Sequence, residues 1–334
     1  MSQLGTGIIG LGIGEQHIAG FRRPPTCDVD VLCDLSEEKL SCVAERYPHC
    51  RRTTHWRELL DDDKIDIISI ASFDDAHFEQ TVAALQARKH VFVEKPMCRS
   101  MLELTVIKQT LIRQPDLNLS SNLVLRAAPI YVWLREAIQS GKLGQIYAID
   151  GEYLYGRIHK ITEGWRKDVP NYSVMQGGGV HLADLILWLT GEKPLAVVAS
   201  GNGICTEGTA FQPNDFVASA FQFPSGMTGR LTANFGCVHP HHHILRVFGT
   251  KATFLYDDQG PRLFTSRDPD RPPERLEHAT LPAAKWDLIP EFVEDVLNGK
   301  NQIERSQREF DTISVCLAAD EALRCGEKVE VKYV

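Results

Sequence analysis

The run HVFVEKPM, His90 to Met97, is as apolar as a strand buried on both faces, yet it finishes on Glu94 and Lys95, and Pro96 forbids its continuation. Proline cannot donate to a β-ladder, and two ionisable side chains are costly at the edge of a core. A strand that ends this way predicts a site at its C-terminal end. The sequence on either side repeats the apolar pattern. Strand-like runs TGIIGL (6–11), DVDVLCD (28–34), IDIISIA (65–71), KHVFVEK (89–95) and LNLSSNL (117–123) alternate with helical patterns starting near Glu15, Ser36, Asp75 and Ser100. Such alternation predicts a doubly wound parallel sheet, with ligands at the C-terminal ends of its strands and Lys95 on that rim.

After about Ala127 the texture changes. A helix, PIYVWLREAIQSG (129–141), leads to a long strand, QIYAIDGEYLYG (145–156), and to a second helix near GVHLADLILWLTG (179–191). Four to six alternating strands are expected between Leu195 and Leu281, joined by short Gly/Pro turns, then helices in AAKWDLIPEFVEDVLNGK (283–300) and QREFDTISVCLAADEALRCG (307–326). The expectation is an α/β dinucleotide-binding domain of the Rossmann type over 1–124. An α+β domain with a large, mostly antiparallel open sheet follows over 125–334.

The chain has 334 residues with a formal charge of −8, which argues against a general nucleic-acid or anionic-membrane binder. Nine scattered cysteines without a C-x-x-C pair make a disulfide framework or zinc site a poor reading and free thiols in a reducing compartment the better one. No apolar run reaches 18 residues and the first residues lack a basic leader, so a cytoplasmic protein is expected.

The first strand runs into GLGIGEQH, Gly10 to His17. Glycines there permit a tight turn and let backbone N–H groups approach a pyrophosphate at a helix N-terminus. Gly10 and Gly12 fit G-x-G-x-x-G, but Glu15 holds the third glycine position and Gly14 comes one residue early. Asp34, ending the second strand, stands where a carboxylate binds an adenosine ribose diol, and it also reads as a helix cap before SEEKL. Neither Leu35 nor Ser36 is basic, which favours NAD over NADP.

Together, GIIGLGIGEQHI (7–18), VLCDLSEEK (31–39), ASFDDAHFEQTVAAL (71–85), KHVFVEKPM (89–97), GWRKD (164–168) and GGGVHLADLILWLTG (177–191) resemble, in order, the Gfo/Idh/MocA oxidoreductases. This is the glucose-fructose oxidoreductase and inositol dehydrogenase group, and the resemblance covers nearly the whole chain. It implies that Lys95 projects beside the nicotinamide, with Glu94 and Pro96 shaping the bend, and that His181 takes the hydroxyl proton as a hydride leaves the same carbon. Asp184 would orient that imidazole. Family members often carry an aspartate four residues before the histidine, where this chain has Gly177. Ser72 and His77 would line the dinucleotide site. Arg126 and Pro129 match a family pattern, and Asn122 stands where a glycine is usual and receives no role.

Two further clusters stand out. HPHHH places His239, His241 and His243 where one strand face could hold them, but no acid or cysteine at ligand spacing joins them, so no metal is expected. The segment 156–167 carries Arg157, Lys160, Arg166 and Lys167 beside Trp165, which reads either as a solvated loop or as a holder of an anionic substrate group. The expected activity is hydride transfer between NAD and a secondary hydroxyl or ketone of a sugar, cyclitol or nucleotide sugar, in a homodimer or homotetramer. Two alternatives stand beside it: a same-family enzyme for a non-sugar carbonyl or diol, and a dinucleotide-binding regulator without turnover.

Overall fold

The computed structural model describes residues 3–299 and 303–334. Its elements are β1 (Leu4–Ile9), α1 (Gly14–Arg22), β2 (Cys27–Cys33), α2 (Glu37–Arg46), β3 (Arg51–Thr53), β4 (Ile67–Ile70), α3 (His77–Gln86), β5 (His90–Val93), α4 (Met101–Ile112) and β6 (Leu119–Ser121). There follow α5 (Pro129–Gln139), β7 (Ile146–Leu154), α6 (His159–Thr162), α7 (Val180–Thr190), β8 (Ala196–Asn202), β9 (Phe216–Gln222), β10 (Thr228–Asn234) and β11 (His242–Gly249). The chain ends with β12 (Thr253–Asp257), β13 (Gly260–Phe264), β14 (Glu274–Arg275), α8 (Ile289–Leu297), α9 (Ile303–Cys325) and β15 (Val329–Glu330). Lys300, within the stretch read as the penultimate helix, lies outside the described residues.

The chain divides into two compact units: residues 1–124 with 283–310 and 334, and residues 125–282 with 311–333. The sequence reading had kept 125–334 together. The difference has a packing cause, because Ile289, Phe292 and Val293 of α8 are buried in the same apolar cluster as Ile8, Phe21, Leu32 and Phe92. Phe92 meets Phe21 edge-on at 6.2 Å and Phe292 at 5.6 Å. Burying each such ring is worth roughly 1.5–3 kcal/mol, so α8 belongs to the first unit's core wherever the chain happens to number it.

In the first unit six parallel strands run in the order β3-β2-β1-β4-β5-β6. Strand order reverses between β1 and β4, which is the point where doubly wound sheets bind ligands. The short β3, exposed and polar in RRT, carries no hydrophobic signal and escaped the sequence reading. In the second unit nine strands form one sheet, β14-β13-β12-β11-β7-β10-β9-β8-β15, antiparallel throughout except for the β7–β10 pair. Gly151 of β7 lets Leu182 of α7 close on the sheet, since a Cβ there would stand 3.2 Å from the Leu182 Cβ.

Candidate active site

The first unit gathers its candidate residues along one sheet edge, beyond the C-terminal ends of β1, β2, β4 and β5. Gly10, at φ +87°, turns the chain out of β1, and a Cβ on it would strike the Ala71 carbonyl. Gly14 opens α1 and sits so close to the strands that its Cβ would lie 3.0 Å from those of Ala71 and the Ile8 methyl. It thus does the helix-to-sheet packing expected of a third glycine, one residue early. Above Gly12 there is open space to beyond 4 Å. The N-terminus of α1 has no side-chain cap, so its first N–H groups are available to a phosphate. Glu15, at the consensus glycine position, turns its carboxylate to Arg46 (2.6 Å).

Asp34 joins this loop. Its carboxylate accepts from the Leu11 N–H at 2.7 Å and the Ser36 N–H at 2.9 Å, with the Lys39 ammonium at 3.3 Å. The cap of α2 is Ser36, whose hydroxyl accepts from the Lys39 N–H, so Asp34 is not the cap. Open space over Gly12, an uncapped helix and a carboxylate beside them fit an adenine dinucleotide: pyrophosphate on the Gly12 backbone and α1, ribose on Asp34.

The EKP segment is braced from three sides. Glu94 accepts from the His17 Nε2 at 3.2 Å and from the Asn122 amide at 2.6 Å, and Asn122 donates also to the Lys285 carbonyl at 2.9 Å. Burial pushes the Glu94 carboxyl up, but the hydrogen bond and charge of His17, the charge of Lys95 and the Asn122 amide reverse this and bring it to about 2. Glu94 is therefore an anion at neutral pH, and the half-buried Lys95 follows it in a bend whose Lys95–Pro96 peptide is cis. His77, wholly buried, sets its Nδ1 2.8 Å from the Pro96 carbonyl and its Nε2 3.2 Å from the Ser72 carbonyl. Ser72 donates to Gln80 at 2.7 Å. His77 is an internal brace that joins the loop after β4 to the bend after β5, and Ser72, expected with it as a lining residue, is half-buried in that loop. His17 and Asn122 were the residues that sequence reasoning missed. His17 lay within the glycine-loop octapeptide, and its signal was a lone histidine on the buried face of a helix.

In the second unit His181 stands in the first turn of α7, entered through a π turn, Met175–Gly179. Such turns occur mostly as single interruptions, frequently at functional sites. The glycines of QGGG make room there, because a Cβ on Gly178 would collide with the Tyr153 ring and one on Gly177 with the Tyr172 hydroxyl. Asp320 of α9 braces the turn, accepting from Ser173 and Gln176, each at 2.7 Å. The His181 ring stacks on Tyr153 (6.2 Å between centroids) and meets His243 edge-on at 6.2 Å. Tyr153 also contacts Phe235 and His241, at 5.7 and 5.2 Å.

Asp184 does not orient His181. Its oxygens accept a bidentate pair from Arg126, 2.8 Å at Nε, and a bond from Thr312 at 3.3 Å, with both charged side chains nearly buried. Its spacing of three from His181 would allow the two to meet, but its oxygens are taken, and Arg126 and Asp184 form an internal ion pair that ties the turn before α5 to α7. The basic segment also has partners. Lys167 pairs with Asp168 at 2.8 Å, Arg157 lies over the Tyr155 ring, and Arg166 lies over Trp165 at 4.4 Å and donates to the Tyr172 hydroxyl at 3.0 Å. The histidine run divides: His241 and His243 face each other at 4.8 Å beside Tyr153, whereas His239 turns to Asp258 at 3.2 Å, with His242 at 4.0 Å. Pro240 breaks the strand alternation that would have kept three of them on one face. Among the described residues no group of His, Cys, Asp and Glu could hold a metal ion, and no helix is long and apolar enough to cross a membrane.

Comparison with known proteins bears on both units. Residues 4–120 match the oxidoreductase family with an NAD-binding Rossmann fold, and residues 131–255 match the Gfo/Idh/MocA C-terminal domain. The chain belongs to the Gfo/Idh/MocA oxidoreductase family. The myo-inositol 2-dehydrogenase of Thermotoga maritima is 24% identical over 75% of this chain and 75% of its own. A levoglucosan dehydrogenase solved with NADH and levoglucosan superposes with a TM-score of 0.82 at 20% identity, covering all of both chains. A scyllo-inositol dehydrogenase of Lactobacillus casei, solved with NAD(H) and scyllo-inositol, gives 0.80 at 19% identity over 99% of each chain. As a Gfo/Idh/MocA protein, the chain carries an NAD-binding Rossmann domain and a second, mostly antiparallel sheet.

Proposed function

We propose that this protein is an NAD-dependent dehydrogenase of a secondary hydroxyl on a neutral cyclitol or sugar. The observation that carries the reading is the alignment, along one edge of the first unit's sheet, of the Gly12 loop, Asp34 and the braced Lys95. Bound NAD supplies the hydride acceptor. In this reading Asp34 holds the ribose, the Gly12 backbone and α1 hold the pyrophosphate, and Lys95 binds the reacting hydroxyl. His181 takes the hydroxyl proton as the C–H bond yields its hydride, so one C–H and one O–H bond break while a carbonyl forms. A neutral substrate is favoured over an anionic one because the basic groups that might have recognised an anion have been given partners. Arg126 is matched by Asp184, Lys167 by Asp168, and Arg166 is turned to Tyr172.

The relatives named for inositol and levoglucosan support the substrate class. The half-exposed outer face of the second sheet bears alternating pairs, Arg230 with Asp150 and Arg246 with Glu152. It supports a homo-oligomer joined through that face, which light scattering after gel filtration tests. The activity itself is tested by incubating the protein with NAD and a panel of cyclitols, hexoses, sugar acids and nucleotide sugars, following NADH absorbance. Turnover of a neutral polyol is the expected result. Best turnover of a sugar acid removes the neutral-substrate reading, and NAD binding with no turnover of any compound favours a regulator.

A further inference from the structure

The second unit places a hydroxyl where its backbone has no side chain. Gly177 precedes His181 by four residues, about one turn on the same side of the helical run. A Cβ built on Gly177 would point into the hydroxyl oxygen of Tyr172, with the Tyr172 ring carbon Cζ 2.7 Å away. Tyr172, five residues earlier, therefore delivers its polar tip to the position from which a residue-177 side chain would reach. Tyr172 and His181 belong to one aromatic cluster: Tyr172 meets Phe235 at 6.4 Å, and Phe235 and His181 both pack against the Tyr153 ring, at 5.7 and 6.2 Å.

The hydroxyl is also oriented. Arg166 Nε donates to its oxygen at 3.0 Å, and the guanidinium is itself fixed over Trp165, which meets the Tyr172 ring edge-on at 6.5 Å. With that lone pair engaged by a cation, the phenol is set to act as a hydrogen-bond donor. The Phe211 ring, 5.9 Å away, and Phe235 hold the tyrosine from its other sides. Tyr172 is almost fully buried, so its direction is determined by packing rather than by solvent.

We propose that the Tyr172 hydroxyl is a catalytic residue that donates a hydrogen bond to the reacting oxygen of the substrate, in the place where residue 177 contributes nothing. The proposal rests on the dehydrogenase reading above. During oxidation the carbon gives its hydride to NAD and the hydroxyl proton passes to His181. Tyr172 keeps its own proton and steadies the negative charge that builds on the oxygen between those two events, as an oxyanion-binding donor does. Arg166 is a positioning residue, acting through the phenol.

The test compares wild type with Y172F, Y172A, G177D and the double variant Y172A/G177D. Each is assayed for NADH production from myo-inositol, scyllo-inositol and levoglucosan, for NAD affinity by fluorescence titration, and for thermal midpoint. Y172F is expected to lower kcat about tenfold or more, the scale of a lost oxyanion donor, with NAD affinity and midpoint unchanged. G177D is expected to lower the midpoint, because its Cβ has no room beside Tyr172. Y172A/G177D, where the carboxylate takes the vacated volume, is expected to exceed the turnover of Y172A. Wild-type kcat in Y172F overturns the assignment, and so does a double variant no more active than Y172A. If the wild type binds NAD yet oxidises none of the three polyols nor any compound of the wider panel, the dehydrogenase reading falls and this assignment with it.

Discussion

The side-chain amide of Asn122 donates to Glu94 at 2.6 Å, across the gap between the ends of β6 and β5. Glu94 has no room to relax, because His17 holds it from α1. Its carboxyl stands at about 2 against an ordinary 4.5. An acid whose pKa is lowered by folding stabilises the fold above its unfolded pKa, and that contribution fades as pH falls from 4.5 toward 2. The urea midpoint of Glu94→Gln should therefore lie below that of wild type at neutral pH, with the gap closing in acid. Asn122→Ala should cost about 1–3 kcal/mol, the scale for a buried acceptor that loses a partner, and move the acid transition to higher pH. A pH-independent gap between wild type and Glu94→Gln would sink this account.

Arg126 and Asp184 make the opposite kind of prediction, one of stability without chemistry. Removing one member of a nearly buried ion pair leaves the other charge stranded, at about 3–5 kcal/mol. Asp184→Asn and Arg126→Met should each lower the denaturation midpoint sharply, and the double change Arg126→Met with Asp184→Leu should recover much of the loss. Turnover per folded molecule, with the substrate found in the panel, should change little in any of them. A large fall in kcat at unchanged stability would return Asp184 to the His181 chemistry.

What the sequence disclosed and what it concealed follow from the range of the interactions. The apolar runs of β1, β2, β4, β5 and β6 are local signals, so the parallel sheet was legible, as were Gly10, Asp34 and Lys95 at its edge. The membership of α8 in the first unit was hidden because Phe92 and Phe292 meet across two hundred residues of chain. Asp184 was misjudged because spacing along a helix shows which side a residue occupies but not that an arginine 58 positions earlier takes both its oxygens. Gly177 read as a missing acid, whereas the Tyr172 hydroxyl that fills its place could be seen only in three dimensions.

Two glycines in one loop should respond differently to the same change. Gly10 sits at φ +87° with a carbonyl in the path of any Cβ, so Gly10→Ala should lower the thermal midpoint. Gly12 faces open space, so Gly12→Ala should leave the midpoint alone yet weaken NAD binding, because the methyl would enter the volume proposed above for the pyrophosphate. Calorimetry and NAD titration on the two variants separate these effects. Undiminished NAD affinity in Gly12→Ala would place the pyrophosphate elsewhere.

Cofactor choice turns on Asp34 and Lys39 together. A carboxylate offers about four lone-pair sites, and those of Asp34 already receive Leu11, Ser36 and Lys39, leaving space for a ribose hydroxyl. A 2′-phosphate brought to the same point would face a nearly buried negative charge, so NAD should bind more tightly than NADP. Lys39 tempers this, since its ammonium lies 3.3 Å from the carboxylate and is about half exposed, free to swing toward a phosphate. Asp34→Ala should thus narrow the preference by strengthening NADP and weakening NAD. Lys39→Ala should widen it by weakening NADP alone, and raised salt should mimic that change because an exposed cation is screened. Fluorescence titration of both cofactors against wild type and the two variants measures all of these shifts. Tighter NADP than NAD binding by the wild type would mean that Lys39, rather than Asp34, governs the 2′ position.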